Sequence, residues 1–138
     1  MQLSNEVHIA VSAPTAAGTS AVNSASVDMT GYEGVIFITR FGTAASNNTV
    51  NAAGGSDDST FTDYTGTSVA SGTSDENVWI DVFRPIDRYV RLEAARGTSS
   101  TLESVTAIRY GGRKQPVDNT TSGTIVGEAH VSPSQGTA

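Results

Sequence analysis

The side chains whose types could do chemistry in this chain are two histidines, a cluster of aspartates, a glycine-flanked basic pair, three aromatics and a run of arginines. If the first and last strands of the fold were neighbours, His8 and His130 would suit a metal ion or a pH switch, because imidazole is a common ligand and titrates near neutrality. No third ligand accompanies either in sequence, so ordinary strand-surface positions and no bound metal are expected. Asp57, Asp58 and Asp63 offer hard oxygens of the kind calcium prefers, but their spacing departs from the EF-hand loop, and aspartate beside glycine is ordinary turn chemistry. Serines are numerous, yet no G-x-S-x-G elbow occurs and neither histidine has a triad context. Gly111-Gly112-Arg113-Lys114 resembles a small anion-binding turn, but it opens no helix whose dipole would strengthen it. Trp79, Phe83 and Tyr89 could form an aromatic platform for a sugar; in a chain short of large apolar residues, core or interface anchoring comes first. The expectation is a protein without catalytic residues or cofactor.

The arginines are the one concentration of charge. Arg84, Arg88, Arg91 and Arg96 lie within thirteen residues, and with Arg109, Arg113 and Lys114 they make seven of the eight cations of the chain. The first 83 residues hold nine acids against Arg40 alone. Such asymmetry orients a protein on a charged surface, and Arg84, Arg88, Arg91, Arg113 and Lys114 are the candidate interface residues. The competing reading is that these cations are spread around the fold and serve solubility. A net charge of −6 argues against general nucleic-acid binding, which needs a cationic footprint.

These residues need strands to position them. In NVWIDVFRPIDRYVRLEAAR (77–96), apolar residues alternate with others on both sides of an Arg-Pro break, giving two adjacent core strands joined by a corner over Arg84–Asp87. Val35–Phe41 is the most continuously apolar run and is expected to be central and covered on both faces. Further strands are expected over Glu6–Ser12, Ser24–Met29, Thr67–Ala70, Leu102–Tyr110 and, last, Thr124–Val131. Thr49–Ala53 and Ser59–Tyr64 form the arms of a hairpin. Thr15–Val22 is expected to be a long connection.

The sum is an all-β antiparallel sandwich or jelly roll of eight to ten short strands with Val35, Phe37, Ile80, Val82, Val90 and Leu92 in its core. Thirty-five serines and threonines, fourteen glycines and a single lysine suit strands and turns. The length fits one domain over 1–138, with a flexible tail at about 132–138 and an extended N-terminus. No cysteine is present, which excludes disulfides and thiolate chemistry. No run of eighteen apolar residues and no leader pattern is found, so a soluble protein made in the cytoplasm, with no membrane partner, is expected.

The stretches VDMTGYEGVIFITRFG (27–42), GGSDDSTFTDYTGT (54–67), VWIDVFRPIDRYVRLE (78–93), IRYGGRKQPV (108–117) and EAHVSPSQGTA (128–138), taken in this order, resemble the jelly-roll cement, or decoration, proteins of tailed bacteriophages, in particular that of a short-tailed phage. The resemblance implies a non-enzymatic virion protein on the capsid exterior, bound to the major capsid protein and to copies of itself. Closed two-fold pairing is the commonest oligomer, so a homodimer is expected ahead of a trimer. The alternative from another class is a carbohydrate- or receptor-binding β-sandwich module of a phage particle.

Overall fold

The computed structural model describes residues 2–119, 123, 125–132 and 135. Beyond one 3-10 turn at Leu3–Asn5, the described residues form strands and their connections. One sheet contains β1 (His8–Ser12), β2 (Thr15–Gly18), β5 (Gly34–Thr43), β9 (Asn77–Phe83), β11 (Ser100–Leu102) and β12 (Val105–Tyr110). The other contains β3 (Val22–Asn23), β4 (Val27–Asp28), β6 (Thr49–Gly55), β7 (Thr62–Asp63), β8 (Val69–Ala70) and β10 (Tyr89–Ala95). Every pairing is antiparallel.

Several short strands are halves of one longer strand. β1 and β2 flank β12 and β11, which lie end to end along β5; β3 and β4 share β10, and β7 and β8 share β6. Counted so, the sheets run 1-8-3-6 and 2-7-4-5, the order of a jelly roll, with first and last strands adjacent. The sandwich expected from strand spacing is therefore the fold observed.

Alternation sets the core. Val35, Phe37 and Phe41 of β5, Val50 and Ala52 of β6, and Val90, Leu92 and Ala94 of β10 are fully buried between the sheets, and Ile80 nearly so. Val82 is only half-buried and packs at the margin of this cluster. At roughly 1.5–3 kcal/mol for each large apolar side chain removed from water, this inner layer is the main stabilising term.

Four expectations are corrected. β9 and β10 are not paired with each other: β9 lies on β5 and β10 on β6, so the Arg-Pro corner carries the chain from one sheet across to the other. β5 is central but covered on one face only, with Ile38 still 38% exposed on the other. Thr15–Val22 is no mere connection, because β2 pairs with β11 through its backbone and needs no apolar bulk to do so. Among the described residues the last strand is β12, and the described part of Thr124–Val131 forms no strand. The expected tail falls mostly outside the described residues.

Candidate functional site: a cationic cleft at the sheet-crossing corner

The corner places its side chains through strained and stitched backbone. Arg84 has φ +51°, a left-handed conformation uncommon for a residue with a Cβ, and its amide donates to the Glu33 carbonyl at 2.7 Å. Pro85, which has no N–H to satisfy, follows. The Met29 amide donates to the Arg88 carbonyl at 2.7 Å and the Arg113 amide to that of Gly31 at 2.8 Å. Three connections far apart in sequence are thereby held as one rim around an open cleft of about 570 Å³, into which Arg84, Arg88 and Arg113 project.

The three guanidinium groups differ in how far they are occupied. Arg88 forks onto Asp28, with Nη2 to Oδ2 at 2.8 Å and Nε 3.2 Å from both oxygens. That fork holds the Asp28 carboxyl well below the usual carboxylate range against the opposing effect of burial, with further help from the Thr30 hydroxyl and amide. Arg84 stands 3.9 Å from Glu33, a loose exposed pair, with its guanidinium 5.0 Å above the Phe83 ring. Arg113 is exposed and makes no ion pair among the described residues. Asp87, on the same rim, accepts from the Tyr64 hydroxyl at 3.0 Å; burial first and this carboxylate second push the Tyr64 phenol up to about 12.

Behind the cleft lies a fourth cation. Arg109 of β12 is half-buried, stacks 4.6 Å from the Tyr32 ring centre and donates through Nη1 to the Asp28 carbonyl, while its Nε is buried without a partner. Burial pulls its pKa down, yet arginine stays protonated in proteins. Arg109 was not among the expected interface residues, although it is in phase with the inward-facing Val105 and Ala107, which is the sequence signal that an arginine enters the end of the sandwich. Its charge, after burial itself, also lowers the pKa of the neighbouring His8.

The other expected residues separate. Arg91 lies on the outer face of β10, bound through Nε to Glu93 at 2.8 Å and centred 4.0 Å over Phe61. Lys114 is exposed beside Arg113 but does not line the cleft. His8 packs edge-on to Tyr32, whereas His130 pairs with Glu128 at 2.9 Å, so the two share no site. Asp57 caps the turn through the Ser59 and Thr60 amides, Asp58 accepts from the Ser26 hydroxyl, and Asp63 accepts from Asn51 at 2.9 Å. Among the described residues no three metal-ligating side chains come together. Trp79 and Phe83 point outward from β9, 65% and 58% exposed, while Tyr89 belongs to the other sheet under Arg88, so the three form no common platform.

The guanidinium-rimmed cleft of this jelly roll has a chemistry that suits carboxylate groups, since the planar fork of arginine matches them two bonds at a time. No protein-family model matches the chain, and no curated protein does. Among solved structures it is similar to the PBSX exported protein XepA, with a TM-score of 0.55 and 17% identity over 96% of this chain. The chain spans less than half of that protein's length, 46%. The SPBc2 prophage-derived protein YomS aligns over 75% of this chain at 11% identity and a TM-score of 0.49, and a protein of the disulfide-linked pili of Bacillus endospore appendages over 76% at 11% and 0.48. The XepA likeness shows the fold. No helix among the described residues is long and apolar enough to cross a membrane.

Proposed function

We propose that this is a phage-associated structural protein that binds the outer surface of a capsid, meets acidic groups of the major capsid protein through Arg84, Arg88 and Arg113, and acts together with further copies of itself. The observation that carries the reading is the convergence of these three arginines, distant in sequence, on one open cleft in which Arg113 is unpaired among the described residues and Arg84 barely engaged. The jelly roll and the sequence resemblance to decoration proteins support it, as does the likeness to an exported protein named for the PBSX element. The role is mechanical: each copy buries a modest area across a seam between capsid subunits, and many weak contacts add. No reaction is part of this reading.

The test is the triple change Arg84→Ser, Arg88→Ser, Arg113→Ser. Circular dichroism should show an intact β fold, and occupancy on purified heads should fall steeply and be salt-sensitive in the wild type. A folded triple variant that decorates heads like wild type, alongside salt-indifferent wild-type binding, would remove the electrostatic account.

A further inference from the structure

The β9 strand is an open edge. It pairs along all seven residues with β5 in unbroken register and with no strand on its other side among the described residues. It has none of the devices that usually blunt such an edge, neither proline nor lysine nor bulge, and its charge, Asp81, is turned back onto its own sheet to accept from the Tyr110 hydroxyl at 2.7 Å. Beside it runs a groove. Two clefts that share Thr67 and Asp81 follow β9 from Glu76 to Ile86, between this edge and the Tyr64–Ala70 stretch of the other sheet. Exposed Trp79 and Phe83 line the outer lip.

The chain also has a strand-like segment left without a ladder. In Ile125–Val131 (IVGEAHV), Ile125, Gly127, Ala129 and Val131 alternate with Val126, Glu128 and His130, a small apolar face against a larger and more polar one. In this molecule the segment makes a single bridge at Ile125 and no strand, with Val126 84% and Val131 82% exposed. It lies against Ser4, Asn5 and Ile9, beside β1. Asn119 anchors the chain there, donating to the carbonyls of Ser4 and Val7 and accepting from the Ile9 amide, each at 2.8 Å. β1 and β9 are opposite edges of one sheet, with β12 and β5 between them. At about 4.8 Å per strand, three spacings separate β1, beside which the segment lies, from the open edge at β9.

We infer that Ile125–Val131 of one copy adds as a strand to the β9 edge of the next copy, filling the groove with Ile125, Gly127, Ala129 and Val131 and covering Trp79 and Phe83. Backbone hydrogen bonds supply the affinity in such an addition, and alternate side chains supply the fit. Donor and acceptor sit on opposite edges, so the contact is head-to-tail, and copies join into a ring or an open row of three or more. This replaces the closed homodimer expected from sequence, and it does not depend on the capsid reading.

Trp79, the one tryptophan of the chain, stands on the acceptor edge and reports on it directly. The acceptor in the test is the full chain with Ala129→Pro, which removes a strand donor from an exposed segment outside the ladders and so disables its own tail without touching the sandwich. Titrating a synthetic peptide of residues 124–131 should move Trp79 emission to shorter wavelength and saturate, while the same peptide carrying Ala129→Pro should leave it unchanged. Wild-type chain should sediment as species of three or more copies, and the Ala129→Pro chain as monomer. If the wild-type peptide leaves Trp79 unmoved, or if the wild type stops at two copies that persist in Ala129→Pro, strand addition at β9 is wrong. Either result leaves the arginine cleft and its capsid test untouched.

Discussion

Arg96 and Arg113 are seventeen residues apart, carry the same group and have opposite roles. Arg96, at the end of β10, donates to three backbone carbonyls, those of Ser20 and Ala16 at 2.7 Å and of Ser100 at 2.9 Å, and so clamps the β2 edge to the sandwich. Its guanidinium lies so close over Gly18 that a Cβ there would stand 2.9 Å from Nη2. Arg113 makes no side-chain ion pair among the described residues and faces an open cleft. Between these extremes lie Arg91, tied to Glu93 and Phe61, and Arg88, tied to Asp28 yet on the cleft rim. The difference teaches that a cluster of cations in sequence is not a surface: an arginine is available to a partner only where its own fold leaves its donors unfilled.

The comparison is sharpest for Arg96→Ala. Removing a charged donor from three carbonyls should cost about 2–3 kcal/mol, the range for hydrogen bonds to charged groups when their acceptors lose partners. Urea unfolding should show the midpoint drop, and hydrogen exchange should show faster exchange over Thr15–Gly18 than over β5. A loss no larger than that of an exposed arginine would mean that the clamp is not structural.

Acid should weaken the Arg88–Asp28 fork by a smaller amount. The folded pKa of Asp28 is depressed below the ordinary 3.8, so its stabilisation is fully present above that value and is lost as pH falls below about 4. Asp28→Asn should remove this part of the pH dependence and leave stability near neutrality only modestly lower, since exposed pairs are screened. If wild type and Asp28→Asn lose stability in parallel between pH 4 and pH 2, the fork does not contribute.

The smallest effect is expected at the open end of the comparison. Arg113→Ser should change stability by less than about 0.5 kcal/mol, as surface substitutions without partners do. A loss like that of Arg96→Ala would show that the Arg113 side chain is already engaged within the fold, and it would no longer be a candidate for partner binding.

Strand identity was legible in the residues because alternation is a local property. Val78, Ile80, Val90 and Leu92 announce two strands with one buried face, and the Arg-Pro break announces the corner between them. The phase of Arg109 with Val105 and Ala107 was equally present in the sequence. Which strands pair was not, since an apolar face is satisfied by any sheet that covers it: β9 and β10 look like partners and lie in opposite sheets. The edge strand β2 was missed for a related reason. β2 has only Ala, Gly and Thr to show because its contribution is made through backbone bonds to β11 and through Arg96.

By itself, then, the sequence determined the class of fold and most of the core, because these follow from residue type and short-range period. The tertiary structure alone decided which arginines converge on a cleft and which are consumed as clamps, that Trp79 and Phe83 face outward on an unpaired edge, and that Ile125–Val131 is left without a ladder. Those are matters of long-range pairing, set by which backbone groups remain unfilled once every strand has taken its neighbour, and no local pattern encodes them.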